Sequence, residues 1–213
     1  MAGAWLWRLS GRVLGFYVRL VSRTARIHGS ITQDQVVFAF WHEANLAVGA
    51  VLFHLLADHR VVAFTTRGRR GMVVNALLES LGGVVVALPD EATRGSAAGL
   101  VREVIAAAND GLPVVVSSDG PTGPFHEAKP GAAIVARQAG LPIVPLAVAV
   151  RPPWRLNRRW DRQLLPLPFG RMQVVTGKAW NIGPDDRLRP ALGRLQSELD
   201  RVAAQADRLM AVR

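Results

Sequence analysis

The sequence predicts an α/β protein whose mostly parallel central sheet is flanked by helices, with an amphipathic helix at the N-terminus. Three observations carry this reading. Short β-branched runs recur at VVFAF (36–40), VVAFTT (61–66), VVVAL (84–88), PVVVSS (113–118) and IVPLAVAV (143–150), with a further one near MQVVTG (172–177). Helical patterns lie between them at about 43–57, 71–81, 96–109 and 131–139, and a last one covers about 188–212. Near-continuous apolar strands alternating with helices indicate a sheet buried on both faces. The third observation is that no acid precedes Asp34, while Arg8, Arg12, Arg19, Arg23 and Arg26 recur at steps of four, seven, four and three.

On a helix those steps place the five arginines on one stripe. Leu6, Leu9, Val13, Leu14, Phe16, Tyr17, Leu20 and Val21 cover most of the remainder, with Trp5 and Trp7 near the start. No charge-free run approaches the ~20 residues that span a bilayer, and none makes a signal-peptide core. A basic stripe beside an apolar face suits a helix lying in the plane of an anionic membrane surface; the alternative is a scaffold helix with a solvated arginine face. The chain is thus read as this helix, residues 1–30, and one α/β domain, residues 31–213, a length that suits a single core. Residues 151–170, RPPWRLNRRWDRQLLPLPFG, break the strand–helix rhythm and predict a long surface excursion.

Half of the residues are hydrophobic, which excludes a disordered chain. Lys and Arg total 26 against 16 Asp and Glu, a formal charge of +10, so the partner is expected to be anionic: nucleic acid, lipid headgroup or phosphorylated cofactor. The absence of cysteine excludes disulfides, thiolate metal sites and a cysteine nucleophile. His28, His42, His54, His59 and His126 have no zinc spacing, and no metal is predicted. The sequence contains no G-x-x-x-x-G-K-[ST], G-x-G-x-x-G or G-x-S-x-G, which weakens NTPase, dinucleotide and serine-hydrolase readings.

Three polar residues follow strands. His42 comes two residues after VVFAF, Arg67 directly after VVAFTT and Asp119 directly after PVVVSS. If those strands are parallel, all three emerge at the carboxyl edge of the sheet, where open α/β folds bind ligands. A neutral imidazole there can take a proton from a substrate hydroxyl. Its orienting partner is Asp119, Glu43 or Asn45, the last sharing a helical face with His42. In SSDGPTGPFHEAKPG (117–131), Pro121 and Pro124 stiffen the backbone, while Gly120 and Gly123 permit turns or close ligand approach. Free N–H groups near Gly131, together with Lys129, form a candidate anion site. TTRGRRG (65–71) and ATRGS (92–96) offer Arg67, Arg69, Arg70 and Arg94 for phosphate.

The order of FAFWHEANL, TTRGRRG, SSDGPTGPFHEAKPGAAIVARQAGLPIVPLAV and RRWDRQLLPLPFGRMQVVTG resembles the lysophospholipid acyltransferase superfamily, over about residues 35–180. The resemblance is to a bacterial branch of unassigned function related to the lipid A and glycerol-phosphate acyltransferases. It implies acyl transfer from a thioester, acyl-CoA or acyl-carrier protein, to a hydroxyl of a lysophospholipid or related lipid, with His42 as general base. No further cofactor is implied, and the implied partners are membrane lipid and an acyl thioester donor at the cytoplasmic face of a bacterial inner membrane. Two departures stand out. Superfamily members often carry an acid five residues after the histidine, where this chain has Ala47, so the imidazole falls to Asp119, Glu43 or Asn45. Better-known members read Glu-Gly-Thr-Arg where this chain reads Asp119-Gly120-Pro121-Thr122, so acceptor phosphate falls to Lys129, Arg67 or Arg94, or the acceptor is not a glycerol phosphate. The competing readings are a non-catalytic basic lipid-binding domain and a nucleic-acid binder, the second disfavoured by the placement of the basic excess and by few stacking aromatics.

Overall fold

The computed structural model describes residues 4–32, 34–56, 60–66, 68–88, 106 and 111–212. Arg67, Arg94 and the helix expected at 96–109 lie outside the described residues, Ala106 apart, and for Arg69 and Arg70 only the backbone is described.

The chain runs α1 (Ala4–Thr24), β1 (Arg26–His28), β2 (Val37–Phe40), a 3₁₀ turn (His42–Ala44), α2 (Asn45–Leu55), β3 (Val62–Thr66), α3 (Gly68–Ser80), β4 (Val84–Leu88) and β5 (Val114–Ser117). It continues through α4 (Gly131–Ala139), β6 (Ile143–Arg151), β7 (Trp154–Arg155), β8 (Leu164–Leu165), β9 (Arg171–Thr176) and α5 (Leu188–Val212). Seven strands form one sheet in the order β1-β9-β6-β2-β5-β3-β4. Every neighbouring pair is parallel except β6 and β9, and β7 and β8 make a separate two-stranded hairpin. The mostly parallel α/β architecture is therefore as the alternating pattern requires.

Alternation along the central strand sorts the core into two layers. Phe38 and Phe40 pack with α1 and α2 on one face, whereas Val37, Ala39 and Trp41 pack with α4 and α5 on the other. α2 buries Leu46, Ala47, Val48, Ala50, Val51 and Leu52, which leaves it apolar nearly all round, as a helix enclosed between layers must be. α5 instead buries one face, Leu195, Leu199, Val202, Ala206 and Met210.

α1 packs on α2 and α3. At Gly11 and Gly15 an added Cβ would overlap the Val73 carbonyl oxygen and the Ser80 hydroxyl of α3, so these two positions permit the close approach of the helices. Val18, Val21 and Ser22 are buried on the same side. The helix stops at Thr24, and Arg26, expected on its basic stripe, is instead the first residue of β1 and pairs with Arg171 of β9.

Candidate active site

β2 and β5 run in register, Val37 opposite Val114 and Phe40 opposite Ser117, so they end level at the carboxyl edge of the sheet. Beyond β2, Trp41 is still extended and His42 opens the 3₁₀ turn. Beyond β5 the chain turns sharply and places Asp119 beside it. Asp119 is completely buried, and its carboxylate accepts the backbone N–H of His42 at 2.8 Å and that of His126 at 3.3 Å. Burial pushes its pKa up despite these bonds. The acid therefore fixes the backbone that carries His42 and does not hydrogen-bond the imidazole.

The carboxylate beside the ring is Asp161. Its Oδ2 lies 3.7 Å from His42 Nε2, and its side chain is 0% exposed against 19% for His42. This separation is an electrostatic contact, longer than a hydrogen bond. Asp161 is held in turn by a two-pronged Arg159 fork, Nε to Oδ1 at 2.8 Å and a terminal nitrogen to Oδ2 at 2.7 Å. Burial opposes ionisation of Asp161, but Arg159 outweighs it and holds the carboxyl below its usual range. The Trp160 ring lies 5.1 Å from the imidazole, tilted by 46°. His42 Nδ1 is buried with no hydrogen-bond partner. Desolvation lowers the His42 pKa below the ordinary imidazole value, against the opposing pull of Asp119 and Asp161, and Arg159 pushes the same way as burial.

The other expected orienters serve elsewhere. Glu43 points away from the ring, to His126 Nε2 at 3.1 Å and to the Arg155 guanidinium. Burial opposes its ionisation, yet those two partners hold its pKa low. His126 is stacked between Trp41 and Phe125, with centroids 4.7 and 4.0 Å away. Asn45 opens α2 and touches His42 through its backbone N–H, which donates to the His42 carbonyl. Ala47 is fully buried in the apolar core and brings no charge to the site.

The loop 119–131 is built around its glycines. Gly120 has φ +68°, and a Cβ there would lie 2.9 Å from Lys129 Cδ and 3.2 Å from its Nζ, so Lys129 folds back over Gly120. Gly123 has φ +73°, and a Cβ there would lie 2.7 Å from the Trp160 ring. The Lys129 N–H donates to the Ser118 carbonyl at 2.7 Å, closing the loop. Gly131 is exposed at the start of α4, whose N-terminus has no side-chain cap.

Thus the structure brings His42, Glu43, Asp119, Gly120, Gly123 and Lys129 to one edge and adds Arg155, Arg159, Trp160, Asp161 and Gln163 from the segment read as a surface excursion. Its tip is exposed, but Asp161 and Gln163 are buried, and Gln163 donates to the Glu43 carbonyl at 2.6 Å. One signal was present in the sequence: Asp161 is the lone acid of residues 151–170 and is flanked by arginines, a pattern more suited to a neutralised buried carboxylate than to a solvated loop. A cavity of about 30 Å³ lies between Glu43, Arg155, Asp207 and β6. Among the described residues no three His, Cys, Asp or Glu side chains converge on a possible metal position, and no helix is long and apolar enough to cross a membrane.

No family model matches this chain. An uncharacterised protein of Rickettsia prowazekii is 28% identical over 148 residues, 69% of this chain, and the chain spans 64% of the length of that relative. The solved structure of the 1-acyl-sn-glycerophosphate acyltransferase PlsC from Thermotoga maritima has a TM-score of 0.58 at 14% identity, over 92% of this chain and 79% of that one. The chain therefore has the fold of a lysophosphatidate acyltransferase, with an imidazole and a buried carboxylate at the carboxyl edge of its sheet.

Proposed function

We propose that this protein is an O-acyltransferase that moves a fatty acyl group from acyl-CoA or acyl-carrier protein to a hydroxyl of a lysophospholipid or related lipid acceptor. The observation that carries the reading is the His42–Asp161 contact on an acyltransferase fold. The Asp161 carboxylate, 3.7 Å from Nε2, would stabilise the imidazolium that forms when the ring takes a proton. His42 takes the acceptor proton as the hydroxyl oxygen attacks the thioester carbonyl. An ester C–O bond forms, the C–S bond breaks, and the departing thiolate takes the proton from the imidazolium. A lowered His42 pKa keeps the ring neutral, and so basic, at pH 7. Lys129 and the N–H groups of the 119–124 loop supply the positive field for the oxyanion. Acceptor phosphate is held by Lys129, Arg67 or Arg94.

The exposed side of α1 supports a lipid partner. Leu6, Leu9, Val13, Phe16 and Leu20 form an exposed stripe at alternating steps of three and four, next to the arginine stripe, while the opposite side packs on α2 and α3. The helix is both scaffold and, in this reading, a dock on an anionic membrane surface. The cavity between Glu43, Arg155 and Asp207 is not lined by His42, so in this reading the acyl chain reaches the imidazole by another path, with the Trp160 ring displaced from it.

The test is turnover of a lysophospholipid with acyl-CoA or acyl-carrier protein as donor. Folded His42→Ala is expected to lose roughly 10²–10⁴-fold in rate. Undiminished turnover removes His42 as the base. A folded wild-type chain that consumes no thioester but binds vesicles favours the non-catalytic lipid-binding reading, for which the Trp160 ring beside the imidazole is the supporting observation.

A further inference from the structure

Residues 151–170 carry five arginines, Arg151, Arg155, Arg158, Arg159 and Arg162, and a single acid. That acid, Asp161, is fully buried and neutralised by Arg159, so the outer surface of the segment presents positive charge only. Between the arginines two large apolar side chains stand out in solvent, Trp154 at 60% and Leu156 at 43% exposure. The segment is braced. Trp154 pairs with Leu165 across the β7–β8 hairpin, the Leu156 N–H donates to the Gln163 carbonyl at 2.9 Å, and Arg155 grips the buried Glu43.

The same surface continues toward α1. Tyr17 donates its hydroxyl hydrogen to the Pro166 carbonyl at 2.5 Å, and the Phe169 N–H donates to Thr24 Oγ1 at 3.3 Å. Phe169, 79% exposed, thereby extends the exposed apolar stripe of α1 past its C-terminal end.

We propose that the 151–170 segment is a second docking surface for an anionic lipid bilayer, adjoining that of α1. The chemistry selects this occupant. Tryptophan and leucine beside arginines match the interface of an anionic bilayer, where an amphipathic ring sits at headgroup depth and Arg158 and Arg162, which face no acid among the described residues, meet lipid phosphate. A second copy of the chain would set arginine against arginine. Because the hairpin is held on the body of the protein, docking it requires little new ordering. The contact is independent of acyl transfer: docking without turnover would sink the enzyme reading alone, and turnover without docking would sink this one alone.

The cysteine-free chain permits a direct test. Leu156→Cys is labelled with a polarity-sensitive fluorophore, and Val13→Cys and Leu209→Cys serve as reporters of α1 and of an exposed position on α5. Vesicles of phosphatidylglycerol and phosphatidylethanolamine are expected to shift emission to the blue at 156 and at 13 and to leave 209 unchanged. Phosphatidylcholine alone or high salt should abolish the response at 156. Adding Arg158→Ala should weaken vesicle partitioning roughly fivefold. In the unlabelled chain, deuterium uptake over 152–158 should fall when the same vesicles are added. An unmoved signal at 156 while 13 responds would overturn the proposal, because α1 would then dock alone. So would a shift that follows protein concentration without vesicles, which would mean a second copy, or an equal response to duplex DNA.

Discussion

His42 is held from two directions by two acids with different duties. Asp119 fixes its backbone and Asp161 faces its ring. Removing Asp161 as a charge while keeping its shape, Asp161→Asn, takes away one of the carboxylates that raise the His42 pKa and leaves Arg159 uncompensated. If His42 is the base, the acid limb of the wild-type kcat/KM profile is expected below the ordinary imidazole value of about 6.5, and in Asp161→Asn it should move to still lower pH while the rate falls by about tenfold or more. A limb that stays in place would show that the carboxylate does not act through the ring. The stability sign agrees with the depressed pKa. The unfolded imidazole binds a proton before the folded one does, so stability from this group is complete above about pH 6.5 and declines as pH falls toward the folded value. Asp119→Ala tests the other duty. It orphans the His42 and His126 N–H groups, at about 1–3 kcal/mol for each one left buried and unpaired, and urea denaturation should show that loss.

At the scale of elements, the long apolar strands and the helices between them were legible because each repeats its pattern for several residues. β1, β7 and β8, at two or three residues, are too short to display a period of two, and they were not foreseen. His42 and Asp119 were legible because they closely follow apolar strands, and Lys129 because it stands just before the helical run that starts at Gly131. Asp161 was not, because the histidine it faces lies far away in the chain and its own neighbours, Arg159 and Arg162, are exposed. The contact between α1 and α3 was also invisible, since Gly11 and Gly15 carry no hydrophobic signal. Their role yields a prediction. Gly15→Leu pushes a side chain against Ser80 and should cost about 1–3 kcal/mol, seen as a lower unfolding midpoint, whereas a substitution at exposed Phe16 should leave the midpoint in place.

For the whole molecule, the formal charge of +10 acquires direction from the structure, with the α1 stripe and the 151–170 segment adjoining through Pro166 and Phe169. Salt should weaken vesicle co-sedimentation as the screening length contracts, and Phe16→Glu should reduce it further without changing the fold; binding to duplex DNA with equal strength would contradict a lipid partner. The sheet adds one more consequence. β1, near the start of the chain, is zipped to β9, and Gln173 reaches the His28 carbonyl across 145 residues of sequence. β1 therefore gains its place in the sheet only when β9, the last strand of the described residues, has formed, although α1 before it already rests on α2 and α3.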